Sequence, residues 1–375
     1  MEHTARHNQI FVHRESTNSP LLNHMLQARP GSKVTVIEHN THAFKPQYGN
    51  VSSDSSDHFR EKRNKAALLR RNATWRAEPN GNSTDFLPGL MMAQGCGFGC
   101  TYCYTERHYV NNYSKLYDDV YKVVEMIEFA TINSESLRDK MVKVAKKDYE
   151  KYRDKHHGDW ITFDLGCDSD CVLDNQLTAH NEYHGHIVDI MNRASLIPNA
   201  KTSFATKSSA FDRFLNDVDR PNHHRIRLSL MPEHHRRILE INTASISDRL
   251  ASINKLVDKG FEVHINLSPI VVTKDFNQEY KQLLQLINDS LSQEAKKQMA
   301  YEIIFLTHTM PQYDAVQSYA PKAHKMMTEG PLPLVPKPTK ANVLSYPTTA
   351  KKALKEMLFN LIEEITPYSR VRYCY

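Results

Sequence analysis

Between positions 94 and 104 the chain reads Gln94-Gly95-Cys96-Gly97-Phe98-Gly99-Cys100-Thr101-Tyr102-Cys103-Tyr104, three cysteines in a CxxxCxxC spacing. Three thiolates in one tight loop suit three irons of a cubic iron-sulfur cluster and leave the fourth iron open. Gly95, Gly97 and Gly99 let the backbone fold closely around a metal, and thiolates select soft centres such as zinc or iron-sulfur. A structural zinc site is the alternative and needs a fourth ligand, for which His108 is the nearest candidate. Zinc motifs usually pair one CxxC with a second CxxC or an HxxxH, and no second half follows here. A further set of polar residues stands at the ends of apolar runs: Gly166-Cys167-Asp168-Ser169-Asp170-Cys171, Thr206-Lys207-Ser208-Ser209, Ser229, and Ser268-Pro269. A cysteine, hydroxyls, a carboxylate and a lysine at such positions suit a nucleoside-type cofactor. Cys167 and Cys171 also admit a plainer reading as two small buried apolar residues.

These residues need a frame. From residue 86 apolar strands alternate with amphipathic helices, which predicts a mostly parallel sheet covered by helices. The strands fall at 86–94, 160–166, 202–206, 224–230, 261–267 and 300–306, and the first carries the cysteine loop at its C-terminal end. In parallel α/β barrels the loops at the C-terminal strand ends build the active site, which is where the polar residues above lie. Helices are predicted around Val120, Val123, Val124 and Ile127, and around Leu250, Ile253, Leu256 and Val257, the second starting near Ser247 and stopping at Gly260. A charged helix over 136–155 reads as an external insertion, and a final helix over 350–365 places Leu354, Met357, Leu358, Leu361 and Ile362 on one face. An edge strand is predicted at 370–375.

The fold class is therefore α/β, a partial (β/α)6 TIM-like barrel with an irregular N-terminal extension and a C-terminal helix. Three regions are expected: a polar, basic extension over 1–85, the barrel over 86–310, and a proline-rich connector followed by the last helix and strand over 311–375. Within the extension, Arg60, Lys62, Arg63, Lys65, Arg70 and Arg71, followed by Trp75, form either a phosphate-binding patch with a stacking ring or a solvated helix face.

Composition sets the outer limits. The 375 residues are 40% hydrophobic, enough for a large core, and the net charge of +5 favours a polyanionic partner without requiring one. Six cysteines, three in one metal-type loop, argue against a disulfide framework and for a reducing, cytoplasmic setting. No apolar run reaches the roughly 18 residues of a membrane span. The paired histidines His156-His157, His223-His224 and His234-His235 lack an evident ligand spacing and read as exposed polar residues.

The CxxxCxxC loop resembles the signature of radical S-adenosylmethionine enzymes, and over roughly 86–310 the chain resembles the spore photoproduct lyase family. That family's Cys-x-x-x-Cys-x-Tyr-Cys-Tyr is matched by Cys96, Cys100, Tyr102, Cys103 and Tyr104; its cysteine followed by Ser-Asp is matched by Cys167, Ser169 and Asp170; its Thr-Lys by Thr206 and Lys207; its strand-four serine by Ser229. The resemblance implies a [4Fe-4S] cluster on Cys96, Cys100 and Cys103 and S-adenosyl-L-methionine held by Ser169, Asp170, Lys207 and Ser229. It implies catalytic roles for Cys167 as hydrogen-atom donor, for Tyr104 in relaying the hydrogen atom, and for Tyr102. The implied activity generates a 5'-deoxyadenosyl radical and splits a thymine dimer in DNA, with a one-electron donor such as flavodoxin or ferredoxin. A radical isomerase or lyase tailoring a hypermodified thymine would keep the same core, and a non-catalytic metal-cluster nucleic-acid binder is the reading from another class. Three departures stand out: a longer segment between Cys103 and Cys167, the additional Cys171, and proline-rich sequence where the family has a basic, aromatic stretch.

Overall fold

The computed structural model describes residues 9–40, 65–71, 86–88, 92–103, 114–132, 160–166, 168–337 and 340–374. The charged helix expected over 136–155 lies outside these residues, as do His108 and His156-His157.

The first half of the chain departs from expectation. Strands β1 (Gln9–His13), β2 (Lys33–Ile37) and β3 (Lys65–Leu69), with helix α1 (Pro20–Ala28) between the first two, are ordered where an irregular extension was expected. They join β5 (Ala93–Gln94) and β6 (Ser114–Tyr117) in a sheet of order β2-β1-β3-β6-β5. β3 pairs with β6 in parallel, so hydrogen bonding crosses residue 85. The physical reason is burial on both faces. Ala66, Ala67, Leu68 and Leu69 are all fully buried, and such a strand shows an unbroken apolar run instead of an alternation. Flanked by arginines, that run was read as part of a basic segment.

The main sheet has the order β15-β11-β10-β9-β8-β7-β4 and is parallel throughout. Its strands are β4 (Phe86–Pro88), β7 (Ile161–Asp164), β8 (Ala200–Thr206), β9 (His224–Leu230), β10 (Glu262–Ile270), β11 (Ala300–Phe305) and β15 (Arg370–Cys374). Six of these form the expected half-barrel and β15 adds the expected edge. The predicted strand over 86–94 is corrected: its start pairs with β7, whereas its end, β5, pairs antiparallel with β6 in the other sheet. Pro88-Gly89 interrupts the apolar run that suggested one strand.

The remaining helices follow the strands in order. They are α2 (Lys122–Ile132), α3 (Cys171–Asn175), α4 (His186–Ala194), α5 (Asp212–Asp217), α6 (Glu233–Leu239), α7 (Ile246–Lys259), α8 (Phe276–Ser290), α9 (Gln293–Gln298), α10 (Met310–Tyr319), α11 (Pro321–Thr328) and α12 (Thr348–Ile365). In α7 the Ser245 hydroxyl accepts the Asp248 N–H and Gly260 closes the helix at φ 103°, a left-handed conformation glycine adopts without penalty. Its buried Leu250, Ile253 and Leu256 share one core with Leu283, Leu284 and Ile287 of α8 and with Ile226 and Leu228 of β9. Met357 of α12, predicted on the apolar face, is 39% exposed, while Leu354, Leu358, Leu361 and Ile362 are buried.

The segment after Thr307 is ordered too, not an extended connector. β12 (Thr307–Thr309), β14 (Lys340–Ser345) and β13 (Val335–Lys337) make an antiparallel sheet beside α10 and α11. Pro311 and Pro321 sit in the first turns of those helices, where a missing N–H costs nothing, and Pro336 lies on an edge strand. The Val272 N–H donates to the Tyr346 hydroxyl at 2.9 Å, and Gly330 approaches so closely that an added Cβ would meet the Val272 carbonyl at 2.1 Å.

One face of the main sheet is charged. Along β9, Arg225, Arg227 and Ser229 alternate with Ile226, Leu228 and Leu230, and all are buried. Arg227 pairs with Asp164 at 2.9 Å and with Glu302 at 3.3 Å, and Glu302 also meets Arg372 and the Tyr373 hydroxyl. A second layer joins Glu262 to Lys201 at 2.6 Å, Arg225 at 2.8 Å and His264 at 3.0 Å. Apolar side chains on the other face of the strands carry the helices, so the polar face is left to the half-barrel's interior.

Candidate active site

The cysteine loop leaves β5 at Gly95 and is shaped by two residues with positive φ, Gly95 at 78° and Gly99 at 63°. Its start is tied to the end of β7, because the Gly95 N–H donates to the Asp168 carbonyl at 3.1 Å. Its CxxC turn closes with the Cys103 N–H on the Cys100 carbonyl at 3.0 Å. Its middle is strapped from the other side. The Thr101 N–H and hydroxyl both donate to the Leu239 carbonyl, at 3.0 and 3.2 Å, and the Gln312 amide of α10 donates to the Thr101 carbonyl at 2.6 Å. The Tyr102 hydroxyl donates to the Glu240 carboxylate. Glu240 is fully buried and paired at 2.7 Å with Arg249 of α7, whose guanidinium also donates to the Ser229 carbonyl at 2.7 Å. Glu240, Arg249 and Gln312 were not found from sequence, since a Glu in an Arg- and His-rich helix end looks like an ordinary solvated residue.

Cys96, Cys100 and Cys103 share a small apolar cluster with Phe98, Tyr102 and Leu173, and none is in a disulfide. Burial pushes the Cys96 and Cys100 thiols up, and neighbouring carboxylates and cysteines push the same way. Such thiols ionise when a metal takes the proton's place. Three buried or half-buried thiols in one loop, with neither a histidine nor a carboxylate in their cluster, suit three corners of a polynuclear cluster.

The opposite wall is built on Asp170. Its Oδ1 accepts the Val172 and Leu173 N–H groups at 3.1 and 3.2 Å, capping α3, and its Oδ2 accepts the Lys207 N–H at 3.0 Å. The Thr206 hydroxyl lies 2.9 Å from both oxygens. With every acceptor position engaged by protein, Asp170 fixes the β7 and β8 ends relative to each other. Lys207 lies with its ammonium 5.8 Å from the centre of the Tyr102 ring. Burial works against that charge, but Glu240, Cys100 and Cys103 outweigh it and hold the Lys207 pKa above the ordinary lysine value. Ser169 stands one residue before the cap, and Ser229 is buried near the end of β9.

The structure thus brings Cys96, Cys100, Cys103, Tyr102, Asp170, Lys207 and Ser229 onto one connected frame. Cys167 and Tyr104 lie outside the described residues. Cys171 is fully buried in the main core. Of the basic run, Arg71 pairs with Asp119 at 2.9 Å over the Tyr117 ring and Arg70 pairs with Glu15, so both carry internal contacts; Arg60, Lys62, Arg63 and Trp75 lie outside the described residues. No helix of the described residues is long and apolar enough to cross a membrane.

The family model for spore photoproduct lyase matches residues 8–375. The chain belongs to the spore photoproduct lyase family. The spore photoproduct lyase of Bacillus subtilis is 21% identical over 284 residues, 76% of this chain and 75% of that protein, and that of Clostridium acetobutylicum is 24% identical over 220 residues, 57% and 55% of the two chains. A solved spore photoproduct lyase complexed with dinucleoside spore photoproduct superposes with a TM-score of 0.76 at 17% identity, covering 99% of each chain. A variant with bound AdoMet and the same dinucleoside gives 0.74 at 17% identity, covering 98% of this chain and 99% of that one. At this identity the likeness speaks for the fold, including the half-barrel.

Proposed function

We propose that the chain is a radical S-adenosylmethionine lyase that reverses a thymine-dimer lesion in DNA. The observation that carries this reading is the frame described above, which joins the cysteine loop to Asp170, Lys207 and Ser229 in a chain matched by the family model from residue 8 to 375. Cys96, Cys100 and Cys103 hold a [4Fe-4S] cluster. When bound, the cluster and S-adenosylmethionine supply a 5'-deoxyadenosyl radical; the protein's part is to bind, orient and exclude water.

Lys207, locked by its own N–H to Asp170, offers a fixed positive charge to the cofactor's carboxylate. Ser229 and Ser169 add hydroxyls, and Asp170 acts by holding Lys207. Tyr102 is kept as a neutral phenol, since burial and then the Glu240 carboxylate push its pKa well above the ordinary value. Tyr104 relays the hydrogen atom, Tyr102 acts beside the cluster loop as a neutral phenol, and Cys167 is the hydrogen-atom donor to the substrate. A flavodoxin- or ferredoxin-type protein supplies the electron. The substrate base is drawn from the stack, at a cost of a few kcal/mol that damage lowers.

The test is anaerobic turnover of the cluster-loaded protein on dinucleoside spore photoproduct, following release of unlinked thymidines together with 5'-deoxyadenosine. Formation of 5'-deoxyadenosine with no thymidine release would retain the cofactor chemistry and remove the substrate assignment.

A further inference from the structure

His234 and His235 open α6, and Glu279 lies in the first turn of α8, the helix that follows the neighbouring strand. One donor atom from each of the three lies within 4.8 Å of the others. His234 Nε2 is 2.8 Å from Glu279 Oε1 and His235 Nε2 is 3.2 Å from Oε2. Ligands on a tetrahedral ion bound at 2.0–2.1 Å stand about 3.3 Å apart, so these spacings are near those of a shared ion.

A second observation separates this cluster from an ordinary surface contact. His235 is fully buried, its Nδ1 has no hydrogen-bond partner, and its Nε2 faces only Glu279 at 3.2 Å. Two imidazoles that converge on one carboxylate at this range present donor atoms to a common point, where a divalent cation would be held by all three. The carboxylate is held for the purpose: the Thr273 hydroxyl donates to Glu279 Oε2 at 2.6 Å, the kind of outer contact that orients a metal ligand. His234, with half its side chain exposed, gives an entry path and leaves a coordination position to solvent.

We infer that His234, His235 and Glu279 form a second metal site, separate from the cysteine loop, for a borderline divalent cation of the zinc class. Two imidazoles and a carboxylate suit zinc, and no sulfur takes part. Such an ion would pin α6 to α8. Since α6 ends at Leu239, whose carbonyl holds Thr101, the ion would brace the strap on the cysteine loop from outside.

The experiment uses cluster-loaded protein, so that the cysteines are occupied, titrated anaerobically with Zn2+. Wild type is expected to take up one zinc per chain beyond its iron, with a zinc-edge X-ray absorption spectrum fitted by nitrogen and oxygen near 2.0–2.1 Å and no sulfur. His234→Ala, at an exposed position, and Glu279→Gln, an isosteric change, should each weaken zinc at least tenfold with iron content unchanged. Added zinc should raise the unfolding temperature of wild type but not of His234→Ala. Sulfur in the zinc shell, no uptake beyond iron, or equal uptake by wild type and both variants would each overturn the site, whatever the outcome of lesion turnover.

Discussion

Tyr102, Glu240 and Arg249 make a buried relay of a phenol, a carboxylate and a guanidinium between the cysteine loop and β9. Removing one charge from a buried pair leaves the other uncompensated, at roughly 3–5 kcal/mol. Glu240→Gln keeps an oxygen for Tyr102 but strands Arg249, so the unfolding free energy from urea titration should fall by an amount in that range. A change under about 1 kcal/mol would show that the pair is solvated in the working protein. At Cys167 the expected effect is chemical. Cys167→Ala should keep its iron and still form 5'-deoxyadenosine, while the lesion yields aberrant products in place of two thymidines; normal product at the normal rate would take the donor role from Cys167. Cys171→Ala, a small change in a packed core, should leave product identity untouched.

At the scale of elements, legibility followed burial pattern. β9 was predicted with the bounds it has, and α7 with its glycine stop, because alternation and capping chemistry are local signals. β3 escaped because a strand buried on both faces carries no alternation, and β1 because its few apolar residues stand in polar surroundings that read as an irregular extension. His224 and His235, read as exposed, are buried for a reason the sequence hides: one sits on a central strand and the other faces α8. The three-cysteine loop was legible from spacing, but its strap was not, since Thr101 and Gln312 meet across 211 positions. The prolines Pro331, Pro333 and Pro336 misled because they lead into and sit on an edge strand, where a missing N–H is tolerated. The docking of the small C-terminal sheet rests on Gly330. Gly330→Ala would drive a methyl group into the Val272 carbonyl, and overpacking of this kind costs about 1–3 kcal/mol. Circular dichroism melts should show the loss, and an unaltered melt would mean that this sheet docks loosely.

Across the whole molecule, ions line the charged face of the sheet and neutral imidazoles are buried there (His264), on the other face of β9 (His224) and in α4 (His186), so stability should depend on acidity accordingly. Burial pushes His186, His224 and His264 down to about 3. In the unfolded chain each would titrate near 6.5, so below that pH the unfolded state binds protons that the folded state refuses. Stability should therefore hold above about pH 6.5 and decline as pH falls toward 3, by up to about 1.4 kcal/mol per pH unit for each ring. Urea midpoints that stay level between pH 7.5 and 5 would contradict the burial of these rings. The strap on the cysteine loop has a further consequence, for how the enzyme is made. Thr101, Tyr102, Gly95 and Cys103 are all held by bonds between protein groups, none of which requires a metal. Contacts among protein groups thus fix the loop to three other elements, so a metal arriving there should meet three thiols already gathered.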